Sequence, residues 1–219
     1  MKSTELAFFG KITAGATHEM KNVLAIIRES GGLMEDLLAM TPEGAFPYSE
    51  RFLKAVSAID SQVKRGVEIL NRLNRFAHSV DEPVCEITLR EHVEQAALLN
   101  QRFARLKTAE IELKDGGEPI VLRTSPFMLQ MVLSAGFQCC FEAMPGGGRI
   151  LVSIAGTARE PAVSLSCEPA SGETKPDMES LCATTAWPGL CLAASEMGGS
   201  VRESFDGPGF SIFLKQEQD

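Results

Sequence analysis

Apolar residues recur near the start of the chain at Phe9, Ile12, Ala16, Met20, Val23 and Ile27. Steps of three and four give a helix one buried face. The period predicts a single long helix over residues 4–40, softened at Gly31 and Gly32 by roughly 1 kcal/mol each relative to alanine. Prolines and a glycine over residues 41–47 mark a loop. A second long helix is predicted over residues 49–79, with the apolar set Phe52, Val56, Ile59, Val63, Val67, Leu70, Leu73 and Ala77. Two antiparallel helices joined by a short loop make a hairpin. A lone hairpin buries one face of each helix, whereas hairpins from two chains close a four-helix core. The pattern therefore favours a homodimer over a hairpin packed on its own C-terminal domain.

Asp81-Glu-Pro83 stops the second helix and marks a boundary. Beyond it the period switches between two and 3.6. Short strands are predicted at 85–89, 110–114, 120–122, 149–154, 162–167, 200–204 and 210–214, the last two pairing across Asp206-Gly-Pro-Gly209. Another turn falls at 115–119. Helices are predicted at 89–106, 126–144, 178–186 and 190–197, with Trp187-Pro-Gly189 read as a break. The expected fold is α+β: a helical hairpin over residues 1–80, then an α/β sandwich over 81–219 with helices on one face of a mixed sheet.

Composition excludes more than it assigns. The chain has 219 residues, 44% hydrophobic and 23% charged, ordinary for a globular protein. A net charge of −8 argues against a nucleic-acid partner or an anionic membrane surface, since either favours a basic face. The first residues lack the apolar core and cleavage site of a secretory signal. No run reaches the roughly 20 apolar residues that span a bilayer. The expected compartment is the cytoplasm. Cys85, Cys139, Cys140, Cys167, Cys182 and Cys191 form no C-x-x-C pair and none has zinc-ligand spacing to a histidine. They read as small core residues in a reducing compartment, with no metal.

The candidate chemistry lies in the first helix. His18 falls about 200° around it from Ala16, pointing away from the buried seam. Asn22, four residues on, shares its face, and Glu19 follows it directly. His78 and His92 have no comparable surroundings and read as structural; Trp187 reads as a packing residue.

The stretch Gly10-Lys-Ile-Thr-Ala-Gly-Ala-Thr-His-Glu-Met-Lys-Asn-Val-Leu24 resembles the phospho-accepting H-box of two-component sensor histidine kinases. Arg65-Gly-Val-Glu-Ile-Leu-Asn-Arg-Leu-Asn-Arg-Phe-Ala77 resembles the return helix of their dimerisation hairpin. Glu142-Ala-Met-Pro-Gly-Gly-Gly-Arg-Ile150 resembles the end of the kinase N-box and the strand after it, and Pro188-Gly-Leu-Cys-Leu-Ala193 with Gly198-Gly-Ser-Val201 resembles the last glycine motif and closing strands. The resemblance implies a dimeric hairpin carrying His18 as phospho-acceptor, an ATPase-like sandwich and a response-regulator receiver domain as partner. It links Asn22 to removal of phosphate from that partner. Glu19 is suited to hold one ring nitrogen of His18 as N–H.

The departures lie in the nucleotide motifs. The resemblance puts Ala135 and Cys139 where the N-box has asparagines, and neither is a hard oxygen ligand for magnesium. Ser166-Cys-Glu-Pro stands where an adenine-reading aspartate is expected, and Trp187-Pro-Gly where a G-x-G lets amides approach the triphosphate. The first reading is a phosphorelay protein and pseudokinase, exchanging phosphate with receiver domains through His18 without a cofactor. An active kinase using ATP and magnesium at a divergent site is the second. A non-catalytic or phosphatase-like regulator of a receiver domain is the third.

Overall fold

A computed structural model describes residues 3–40, 48–114, 119–157, 159–204 and 209–215. The loop expected at 41–47, most of the turn at 115–119 and the turn residues 206–208 lie outside them. Two compact units emerge, one of residues 9–75 and one of residues 1–8 with 76–219.

Helix α1 spans Ser3–Ala39 and α2 spans Ser49–His78. Gly31 and Gly32 do not interrupt α1. The helices run antiparallel: Phe8 meets Phe76 at one end, and Met20 and Val23 meet Gly66 further along. Gly66 sets the closeness of that approach, because a Cβ there would stand 3.3 Å from Val23 Cγ1. The buried line of α1 is Ile12, Gly15, Val23 and Leu37; that of α2 is Ala55, Gly66, Ile69 and Phe76.

This differs in part from the seam read off the sequence, of which Phe52, Ile59, Leu73 and Ala77 are half-buried. Val56, Val63, Val67 and Leu70 are exposed, at 41%, 48%, 52% and 51%. Helix α2 carries two apolar stripes about 100° apart, the angle between consecutive residues. Steps of three and four fit either stripe, and only the partner helix decides which is covered within one chain.

The second unit opens with β1 (Cys85–Thr88) and α3 (Leu89–Leu106), then β2 (Ala109–Leu113) and β3 (Val121–Thr124). Helix α4 (Pro126–Ala143), β4 (Gly148–Thr157), β5 (Glu160–Pro169), α5 (Met178–Cys182), α6 (Trp187–Glu196), β6 (Ser200–Glu203) and β7 (Gly209–Phe213) follow. The main sheet has the order β2-β4-β5-β7-β6, with β2 parallel to β4 and the other pairs antiparallel; β1 and β3 form a separate antiparallel pair. A mixed sheet with helices is what the alternation of periods predicts.

Helix α4 is the spine of this unit. Ser125 caps it by accepting from the Met128 amide, and Pro126 sits in its first turn, where no amide is needed. Its residues are apolar on almost every side because it packs on α3, α6 and β5 together. Gly147 and Gly148 then turn the chain into β4 at φ +85° and +142°; a Cβ on Gly148 would lie 2.3 Å from the Glu168 carbonyl. Some buried polar groups are paired, whereas the side-chain amide of the fully buried Gln130 has no hydrogen-bond partner among the described residues. Asn100 Nδ2 donates to the Ala96 carbonyl and to Ser134 Oγ, and the hydroxyls of Ser164 and Ser211 meet at 2.7 Å between β5 and β7. At the rim, Phe8, Phe76 and Phe127 pack as a trio with centroids 5.6–5.9 Å apart.

One boundary moves. Trp187-Pro-Gly does not break the chain but begins α6, with Pro188 in its first turn. A proline there costs no hydrogen bond, since the first amides of a helix have no partner within it.

Candidate functional site

His18 stands on the exposed side of α1 and makes no hydrogen bond or ion pair among the described residues. Beside it runs a shallow groove of about 420 Å³, lined by Phe9, Gly10, Thr13, Ala14, Thr17, His18 and Lys21. The small residues at 10, 14 and 17 hollow the helix surface one turn apart, and the imidazole rises at the end of the hollow. Thr17 Oγ1 donates to the Thr13 carbonyl at 2.8 Å, folding that side chain down along the helix. Lys21 and Asn22 are exposed one turn beyond His18.

Glu19 points elsewhere. Its side chain is 16% exposed and its carboxylate lies 3.7 Å from Arg65 Nη2 on α2. No bond joins it to His18 in this state. Of the three residues singled out from the sequence, His18 and Asn22 therefore share one outer face, while Glu19 is turned toward the return helix. Arg65 was quoted only as part of a helix. Its reach to Glu19 depends on the helix approach at Gly66, which no spacing along one helix reveals.

The α/β unit holds a second cluster where the nucleotide motifs would fall. Ala135 is half-buried and Cys139 fully buried. Burial pushes the Cys139 thiol up to about 12, against the opposing effect of a hydrogen bond with Thr184. A protonated thiol inside the core offers magnesium no oxygen and no charge. Cys140 is buried too, and its thiol is raised by that burial and by its hydrogen bond with Cys167. All six cysteines are free. Trp187 is packed edge-on against Phe210, with ring centroids 5.4 Å apart. Among the described residues, no group of three or more His, Cys, Asp or Glu is arranged to hold a metal ion.

Glu142, at the end of α4, is the most heavily bonded carboxylate of the cluster. Oε1 accepts from Gln138 Nε2 at 3.0 Å, and Oε2 accepts from Thr185 Oγ1 at 2.9 Å and from the Ala186 amide at 3.2 Å. Burial pushes its carboxyl up, but these hydrogen bonds outweigh it and leave the group below its ordinary value. The result is a strap. The segment from α5 to the start of α6 is tied to α4 by the carboxylate and anchored by Leu181, which is fully buried. A groove of about 610 Å³, with Lys107, Phe141, Glu142, Ser180 and Thr184 on its walls, runs beside it. The sequence hint was present in the N-box resemblance, but the donors lie more than forty residues away and only the fold brings them in.

No protein-family model matches the chain, and no curated protein does. Similar solved structures exist. The histidine kinase AdeS of Acinetobacter baumannii is 13% identical, with 92% of this chain and 98% of that chain covered and a TM-score of 0.46. A bacterial phosphotransferase is 14% identical over 98% of both chains, with a TM-score of 0.48. The cytoplasmic segment of the histidine kinase QseC is 15% identical, covering 71% of this chain and 95% of that one, with a TM-score of 0.43. No helix among the described residues is long and apolar enough to cross a membrane.

Proposed function

We propose that this chain is a two-component signalling protein that carries a phosphoryl group on His18 and exchanges it with response-regulator receiver domains, without using ATP. The observation that carries the reading is an exposed, unpartnered imidazole at the end of a groove, within a segment resembling an H-box. Phosphoryl transfer asks mainly for positioning and electrostatics. A lone pair on one ring nitrogen of His18 attacks the phosphorus of an aspartyl phosphate. The N–P bond forms as the P–O bond to aspartate breaks, the regulator's carboxylate leaves, and the other ring nitrogen keeps its proton. Lys21 supplies a nearby positive charge.

Cys139 in place of an oxygen ligand, the indole of Trp187 at the last glycine motif and the strap held by Glu142 all favour transfer without a nucleotide. The exposed stripe Val56, Val63, Val67 and Leu70 suits a homodimer, since a second hairpin would cover it. A second reading draws on Asn22: an amide on the face of His18 fits orientation of a water that dephosphorylates the partner.

The test is transfer from a phosphorylated receiver domain, across a panel of regulators. Wild-type protein takes up label on histidine and His18→Ala does not. Equal uptake by the two removes the relay reading. Loss of regulator phosphate without label on the protein, abolished by Asn22→Ala, selects the second reading.

A further inference from the structure

The Glu19–Arg65 pair joins the two helices of the hairpin beside His18. We propose that Arg65 is a positioning residue for phosphoryl transfer at His18, holding Glu19 against α2 and cancelling its charge while the histidine carries phosphate. The inference rests on the phosphotransfer reading above and deepens it.

Glu19 follows His18 directly but lies about 100° around the helix, so its carboxylate acts on the ring as a neighbouring charge and not as a bonded partner. A phosphoryl group on His18 brings close to two negative charges to that neighbourhood, by analogy with other phosphorylated side chains. An uncompensated carboxylate beside it would oppose the approach of an aspartyl phosphate and destabilise the product. Arg65 answers that charge: its Nη2 lies 3.7 Å from Glu19 Oε2. The carboxylate is the more buried partner, at 16% exposure against 43% for the arginine. Water screens it poorly, so a fixed counter-charge has more effect than at a fully exposed pair. The half-exposed guanidinium also has donors to spare. One carboxylate uses at most two of its five N–H groups, leaving others free to turn toward a phosphoryl oxygen.

The backbone is built for this contact. Gly66 follows Arg65, and its missing side chain lets α2 settle onto Met20 and Val23, which lie 3.6 Å and 3.3 Å from where a Cβ would be. A Cβ at 66 would press on the side chains of Val23 and Met20, one residue from Arg65. The distance of 3.7 Å is that of an ion pair rather than a tight bidentate fork, which suits a group that must share its charge with an incoming phosphate.

The experiment is single-turnover transfer from a phosphorylated receiver domain to the full chain, at varied receiver concentration, for wild type, Arg65→Gln, Arg65→Lys and the double variant Arg65→Gln with Glu19→Gln. Arg65→Gln is expected to slow the transfer step about five- to tenfold, the size of a partly buried charge pair, with the half-saturating receiver concentration unchanged. Arg65→Lys recovers part of the rate. The double variant is faster than Arg65→Gln alone, because the carboxylate that needed compensation is gone; a merely structural arginine gives no such rescue. Transfer by Arg65→Gln at the wild-type rate, or a double variant no faster than Arg65→Gln, overturns this inference alone. A wild type that takes no more label than His18→Ala overturns the phosphotransfer reading and this inference with it.

Discussion

Replacing Glu142 by alanine tests the strap across the α/β unit. The carboxylate receives three donors, and the methyl group that replaces it accepts from none. Alanine is the substitution that removes all three bonds, because a glutamine could keep its oxygen toward Thr185 and Ala186. The Gln138 bond spans one turn of α4 and counts for a few tenths of a kcal/mol. The bonds to Thr185 and Ala186 join different elements. The Thr185 hydroxyl is exposed and can turn to water, so its loss costs about 0.5–1 kcal/mol; the half-buried amide costs about 1–1.5 kcal/mol. The total is about 2 kcal/mol. With a urea slope of about 2 kcal/mol per molar, the midpoint falls by about 1 M. Trp187 reports it directly, as the chain's single tryptophan and the neighbour of Ala186. The effect has a pH signature. The folded carboxyl titrates below its ordinary value of 4.5, so its contribution is full above that pH and is lost as pH falls through the folded value. The gap between wild type and Glu142→Ala should therefore be widest near neutrality and narrow under acid. A Trp187-monitored midpoint unchanged by the substitution at pH 7, or a gap that widens under acid, refutes the strap.

Leu181→Ala empties a fully buried site on α5 and should cost about 2–5 kcal/mol, read by the same fluorescence titration; an effect below 1 kcal/mol, on the order of a surface change, would mean the strap is not anchored there. Val63→Asp with Val67→Asp puts two charges on the exposed stripe of α2. It should convert a dimer to a monomer by light scattering while leaving the helical circular dichroism intact, and an unchanged mass would move the dimer contact elsewhere.

Much of the fold was legible because most elements carry their own period. The strands at β4 and β5 and the helices α3 and α4 fall within a few residues of where alternation and helical spacing put them. What failed was local in a different sense. The covered stripe of α2 could not be chosen from α2 alone, since Ala55-Ile59-Gly66-Ile69 and Val56-Val63-Val67-Leu70 both satisfy the helical step. Trp187-Pro-Gly looked like punctuation, yet a proline one residue into a helix is a start signal. At the site, His18 and Asn22 were legible because one helix face holds both. The direction of Glu19 was not, because Arg65 attracts it from the other helix. Nor were two of the donors of Glu142, Thr185 and Ala186, which follow β4 and β5 in the chain.

The trio of Phe8, Phe76 and Phe127 bears on how such a protein can be recombined. Both ends of the hairpin, residues 1–8 and residues from 76 onward, belong to the α/β unit rather than to the helices they continue. A chimera exchanged at a single point near residue 80 would carry Phe8 and Phe76 away and leave Phe127 facing foreign side chains. The exchangeable cassette is residues 9–75, which takes two crossovers. Variation in the hairpin and variation in the sandwich can then be inherited separately only if both crossovers spare the rings.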